Sequence, residues 1–125
     1  MTKIDLSSFK GLYLQTAREY IKKIAQNLEI LSKHPGNLDA INTIYISAHS
    51  LGTQSTLTGY KNVESVCGVI EQIFLKIKEG KADISQELLT ALKHSLPKLT
   101  NCIDSIEKDD REIDLSGIIN RLESI

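Results

Sequence analysis

The chain has 125 residues, 41% of them hydrophobic and 25% charged, with Lys+Arg 15 against Asp+Glu 16 and a net charge of -1. That is one globular unit, a single domain over residues 1–125, with enough apolar content for a core. A near-neutral balance speaks against a nucleic-acid surface, which needs a basic excess for counterion release, and six aromatic residues without Trp leave few platforms for stacking bases.

Periodicity reads as helix throughout, with no alternating strand pattern of useful length. The first helix is expected from about Ser8 to Lys33, with Leu14, Ala17, Ile21, Ile24, Leu28 and Leu31 as its inner stripe. His34-Pro35-Gly36 breaks it and Asn37 can cap the next, expected over Leu38 to Leu57 with Ile41, Ile44, Ala48, Leu51 and Ser55 inward. A third helix follows the loose segment around Gly59-Tyr60, striped by Val63, Val66, Ile70, Ile73 and Ile77 and closed by Glu79-Gly80-Lys81.

Asp83 or Ser85 can cap a fourth helix whose inner side is Leu88, Leu92, Leu99, Cys102, Ile103 and Ile106. Pro97 inside that segment removes a backbone donor, so a kink is expected there. Asp114 can cap a short C-terminal helix carrying Leu115, Ile118, Ile119 and Leu122. Short connections make successive helices antiparallel neighbours, so the fold class is all-α: an up-down four-helix bundle with an additional short C-terminal helix.

Cys67 and Cys102 are too few for a disulfide scaffold and sit in apolar stretches, which fits a reducing compartment. The N-terminal segment lacks the apolar run of a signal peptide, and no run approaches the ~18 apolar residues of a membrane span. The expectation is a cytoplasmic protein without membrane or nucleic-acid partners, monomeric as an isolated domain.

Most chemical signatures are absent: no phosphate loop, no nucleophile elbow, and no His or Cys pair at metal-ligand spacing. His34 falls in a turn and His94 on the outward side of the fourth helix, which leaves His49. At ~100° per residue, His49 stands roughly 100° from the centre of its stripe, at the edge of the core beside Tyr45, Asn42, Thr53 and Thr56.

Glu71 occupies the matching place on the third helix, roughly 110° off its stripe centre in the same sense. Equal offsets on antiparallel helices point either both into the shared groove or both away from it. With the turn centred at Tyr60, His49 precedes it by eleven residues and Glu71 follows it by eleven, which puts both at one height. A carboxylate on one imidazole nitrogen would fix the tautomer and leave the other nitrogen as a nucleophile. The competing reading of these residues is an incidental surface pair.

Ala48-His49-Ser50-Leu51, Gly59-Tyr60 and the following Glu71 resemble a histidine phosphotransfer (Hpt) domain, most of all the N-terminal phosphotransfer domain of CheA-type chemotaxis histidine kinases. Ala17-Arg18-Glu19-Tyr20, Pro35-Gly36-Asn37, Lys78-Glu79-Gly80 and Ile119-Asn120-Arg121-Leu122 extend the likeness over almost the whole chain.

The resemblance implies a phosphocarrier of a two-component pathway. His49 would accept a phosphoryl group from a histidine kinase catalytic domain, with Glu71 orienting the imidazole, and pass it to an aspartate of a response-regulator receiver. It implies no cofactor and no ATP site in this domain, and places any kinase activity in a larger parent protein.

After His, Ser or Thr and an aliphatic residue, the family usually has Lys, Gly and small residues; here Gly52, Thr53 and Gln54 follow Leu51. The missing Lys removes a positive charge that would favour a phosphoryl group. Thr53 puts a branched side chain one turn beyond the histidine, although its hydroxyl could bond the ring or a phosphoryl oxygen, and the register of Gly52 points to the bundle interior. Ser50 and Tyr45 complete the expected supporting set. The alternative function is a degenerate Hpt domain acting as a non-phosphorylated docking or regulatory module.

Overall fold

The computed structural model describes residues 6–125 and holds five helices: α1 (Leu6–Lys33), α2 (Leu38–Thr58), α3 (Lys61–Lys78), α4 (Gln86–Asp109) and α5 (Ser116–Glu123). No strand occurs among the described residues. α2 packs between α1 and α3, α1 packs on α4, and α5 touches both α3 and α4. The fold is the expected all-α bundle with a short C-terminal helix, with one difference in how it closes. The α3 and α4 backbones approach each other less closely than the other bundle neighbours, and α5 fills that seam with Leu115 and the buried Ile118 and Leu122.

The stops between helices follow from local chemistry. The Asn37 side chain accepts the Ala40 N–H at 3.0 Å, and Ser85, rather than Asp83, accepts that of Leu88 at 3.1 Å. Gly59 ends α2 with φ 83, a left-handed backbone that glycine adopts without penalty, while its N–H and that of Tyr60 return to carbonyls of the last turn. Asp114, the expected cap, lies one residue before the observed cap position: Leu115 is the boundary residue of α5, and Asp114 Oδ1 accepts the Ser116 N–H at 2.9 Å. That bond, on an exposed carboxylate, lowers the Asp114 pKa.

α4 remains one helix through Pro97. Pro97 is exposed, so the Lys93 carbonyl it leaves without a helical partner is on the side of the helix that water can reach, and the helix need not divide.

The core agrees with the expected stripes of α1, α2 and α4, all of whose named residues are buried. α3 differs, because Phe74 and Cys67 join Val63, Val66 and Ile70 in the interior while Ile73 and Ile77 are only half-buried. The inner face of α3 is thus rotated towards α2. Tyr13 adds a buried polar contact, its hydroxyl bonded to the Ser55 hydroxyl at 2.8 Å and its ring packed on Tyr60 at 4.8 Å.

Candidate functional site

α2 and α3 run antiparallel about Tyr60, and their facing residues meet at equal distances from it in sequence. Asn42 meets Lys78, His49 meets Glu71, Gly52 and Gly68 face one shallow notch, and Thr56 and Glu64 close its far end. The ladder follows from the tight turn at Gly59-Tyr60, which sets the register, and from the small residues that let the helices approach.

His49 Nδ1 is hydrogen-bonded to Glu71 Oε1. A carboxylate only accepts, so Nδ1 carries the hydrogen and the neutral ring presents an unprotonated Nε2. The His49 side chain is 60% exposed whereas Glu71 is 22% exposed, so the carboxylate is held against the bundle while the ring faces solvent. Such a ring is an oriented nitrogen nucleophile, reachable by a second protein and shielded on one edge.

Tyr45 forms a wall one turn before His49, its ring within 16° of parallel to the imidazole and 6.5 Å away between centroids. Lys78 lies over the same Tyr45 ring: its ammonium is 4.3 Å from the centroid and donates to Asn42 Oδ1 at 2.7 Å. On the opposite side of His49 the notch has a volume of about 350 Å³, floored by Gly52 and Gly68 and edged by Thr53, Thr56 and Glu64.

Several sequence-picked residues differ from expectation in detail. Gly52 does not point to the centre of the bundle but into the α2–α3 seam, where an added Cβ would stand 3.3 Å from that of Cys67. Thr53 is exposed on the rim of the notch, and Ser50 is half-buried; neither side-chain hydroxyl has a hydrogen bond among the described residues. The sequence places Asn42 beside His49, but Lys78, Glu64 and Gly68 are not among the residues expected there. The signal was present, since each stands on the same count from Tyr60 that paired His49 with Glu71.

The other candidates sit apart. His34 is exposed at the α1–α2 turn, and His94 accepts from Arg121 of α5 at Nδ1, 3.0 Å away. Both cysteines are free and buried; desolvation pushes the Cys67 thiol up to about 12, with nearby Glu71 adding to the effect, and raises Cys102 as well. No helix among the described residues is long and apolar enough to cross a membrane, and no three His, Cys, Asp or Glu residues among them cluster to hold a metal.

The chain is 22% identical over 121 residues to the chemotaxis protein CheA of Bacillus subtilis, covering 96% of this chain and 18% of that protein. It is 27% identical over 86 residues to the CheA of Borreliella burgdorferi, covering 69% of this chain and 10% of the relative. The chain therefore spans less than a fifth of the length of these relatives. Its fold matches the phosphorylated P1 domain of CheA3 from R. sphaeroides, solved in complex with CheY6, with a TM-score of 0.85 and 14% identity over 94% of both chains. Residues 8–109 match the Hpt domain, so the chain belongs to the Hpt domain family.

Proposed function

We propose that the chain is a phosphohistidine carrier of a chemotaxis-type two-component pathway, with His49 as the acceptor. The observation that carries this reading is the Glu71 hydrogen bond to Nδ1, which leaves Nε2 unprotonated on an exposed ring. Nε2 attacks the γ-phosphorus of ATP bound to a kinase catalytic domain, a P–N bond forms as the bond to the ADP oxygen breaks, and Glu71 stabilises the positive charge that develops on the ring. In the second step an aspartate of a receiver takes the phosphoryl group and the imidazole leaves neutral. The domain supplies an oriented nucleophile and a docking face, while the partners supply the nucleotide site and the acidic pocket.

Two relations support the partners. The CheA relatives are chemotaxis proteins of which this chain matches one short part, and the fold neighbour was solved phosphorylated and bound to CheY6. The test is incubation with the cognate CheA-type kinase catalytic domain and labelled ATP. Acid-labile label on the wild type, lost in His49→Gln and chased by the cognate receiver, is the expected result. Absence of label on the wild type, or label persisting in His49→Gln, overturns the proposal in favour of a non-phosphorylated docking module.

A further inference from the structure

Lys78 is a cation held by neutral groups. Its ammonium donates to the Asn42 amide oxygen at 2.7 Å and lies over the Tyr45 ring at 4.3 Å, and it makes no ion pair among the described residues. Both partners bind a cation only weakly at an exposed site, so the ammonium remains free to exchange them for a stronger acceptor.

Its placement directs it towards His49. Lys78 is level with Asn42, yet its ammonium covers Tyr45, one turn nearer the histidine. The cause is the antiparallel packing: side chains lean towards the N-terminus of their own helix. On α3 that direction leads from Lys78 to Glu71, and on α2 it leads from His49 to Tyr45, so the lysine arm and the imidazole incline towards each other. Tyr45, nearly parallel to the His49 ring at 6.5 Å, is the surface between them.

A phosphoryl group on Nε2 would meet an unfavourable neighbourhood on its other sides. Glu71 is bonded to the same ring, Glu64 edges the notch beyond it, and Gly52 supplies no side chain at all. Lys76, on the same helix, lines a separate groove between α3 and α5. Resting on the reading that His49 is the acceptor, the geometry points to Lys78 as a phosphoryl-binding residue: on phosphorylation its ammonium leaves the Tyr45 face and donates to a phosphoryl oxygen. A bond from the ammonium to a dianion, charged on both sides, is stronger than the contacts to two neutral partners that it replaces.

Phosphoramidate tests this without a partner protein, since its P–N bond breaks, ammonia leaves and a new P–N bond forms at the imidazole. Wild type, His49→Gln, Lys78→Met and Lys78→Arg are treated alike and followed by phosphorus NMR over pH. All three histidines are exposed, so the resonance missing from His49→Gln is that of His49. An opposite charge beside the phosphoryl group favours its dianion. The His49 resonance is therefore expected to titrate at higher pH in Lys78→Met than in wild type, with Lys78→Arg restoring the wild-type midpoint. A Lys78→Met midpoint equal to wild type overturns the role of Lys78, whereas the absence of any resonance specific to His49 overturns the acceptor reading itself.

Discussion

A Cβ on Gly52 would lie 3.3 Å from the Cβ of Cys67, while one on Gly68, across the same notch, would meet nothing within 4 Å. The two glycines have opposite meanings. Gly52 lets α2 and α3 approach closely enough for Glu71 to reach His49, and Gly68 leaves open space.

Gly68→Ala is expected to stabilise the bundle by up to about 1 kcal/mol, the helix-interior preference for alanine over glycine. Gly52→Ala gains the same preference but pushes against the Cys67 Cβ, where overpacking costs typically 1–3 kcal/mol, so it is expected to be neutral to destabilising by about 2 kcal/mol. Urea unfolding of the two variants gives the signs. A Gly52→Lys replacement meets the same Cβ contact.

Glu71→Ala removes the group that fixes the imidazole tautomer and steadies its positive form. Phosphorylation of His49 by the kinase domain is expected to slow by on the order of 10²-fold, the lower end of what one positioned acid–base group contributes. Because the carboxylate is mostly covered and bonded to the exposed ring, the loss should appear in the maximal rate and not in the concentration of half-saturation. Single-turnover phosphorylation at varied kinase concentration separates the two.

Stability should fall as the pH rises past about 9. The Cys67 thiol keeps its proton in the folded bundle up to about 12, whereas its ordinary value is 9.0, so in that window the unfolded chain releases a proton that the native one holds. Fewer bound protons in the unfolded state make stability decline with increasing pH. Tyr13, raised from 10.0 by burial, adds to the decline in the same direction. Urea melts from pH 8 to 11 measure it, and Cys67→Ala is expected to flatten the first part of the slope.

The start of α3 is capped from a distance. Tyr60 makes no side-chain cap, and instead Glu112 of the α4–α5 connection accepts the Val63 N–H at 2.8 Å, while the Asn62 side chain donates to the Ile113 carbonyl at 2.9 Å. A carboxylate there also opposes the positive end of the helix dipole. Glu112→Ala is expected to cost about 1 kcal/mol, a typical cap loss, with amide exchange rising first at the α3 N-terminus. Uniform exchange across α2 and α3 would contradict a local cap.

Much of this was legible in the sequence because helical periodicity repeats over long segments and because one count from Tyr60 fixes the α2–α3 register. The stripes of α1, α2 and α4 and the common level of His49 and Glu71 follow from those two facts. What periodicity does not carry is side-chain length and lateral rotation. Phe74 is fully buried while Ile73 is only half-buried, and Lys78, level with Asn42, comes to lie over Tyr45 through the reach of its side chain. The wedge of α5 between α3 and α4 likewise depends on helix spacing, which no linear pattern encodes.

The most direct measurement is the location of the phosphoryl group after transfer from kinase and ATP, read from phosphorus–nitrogen couplings in protein labelled with nitrogen-15 at histidine. The hydrogen bond from Nδ1 to Glu71 requires the P–N bond at Nε2 of His49, with Nδ1 still protonated. A phosphoryl group on Nδ1, or on His34 or His94 with His49 unmodified, would contradict it.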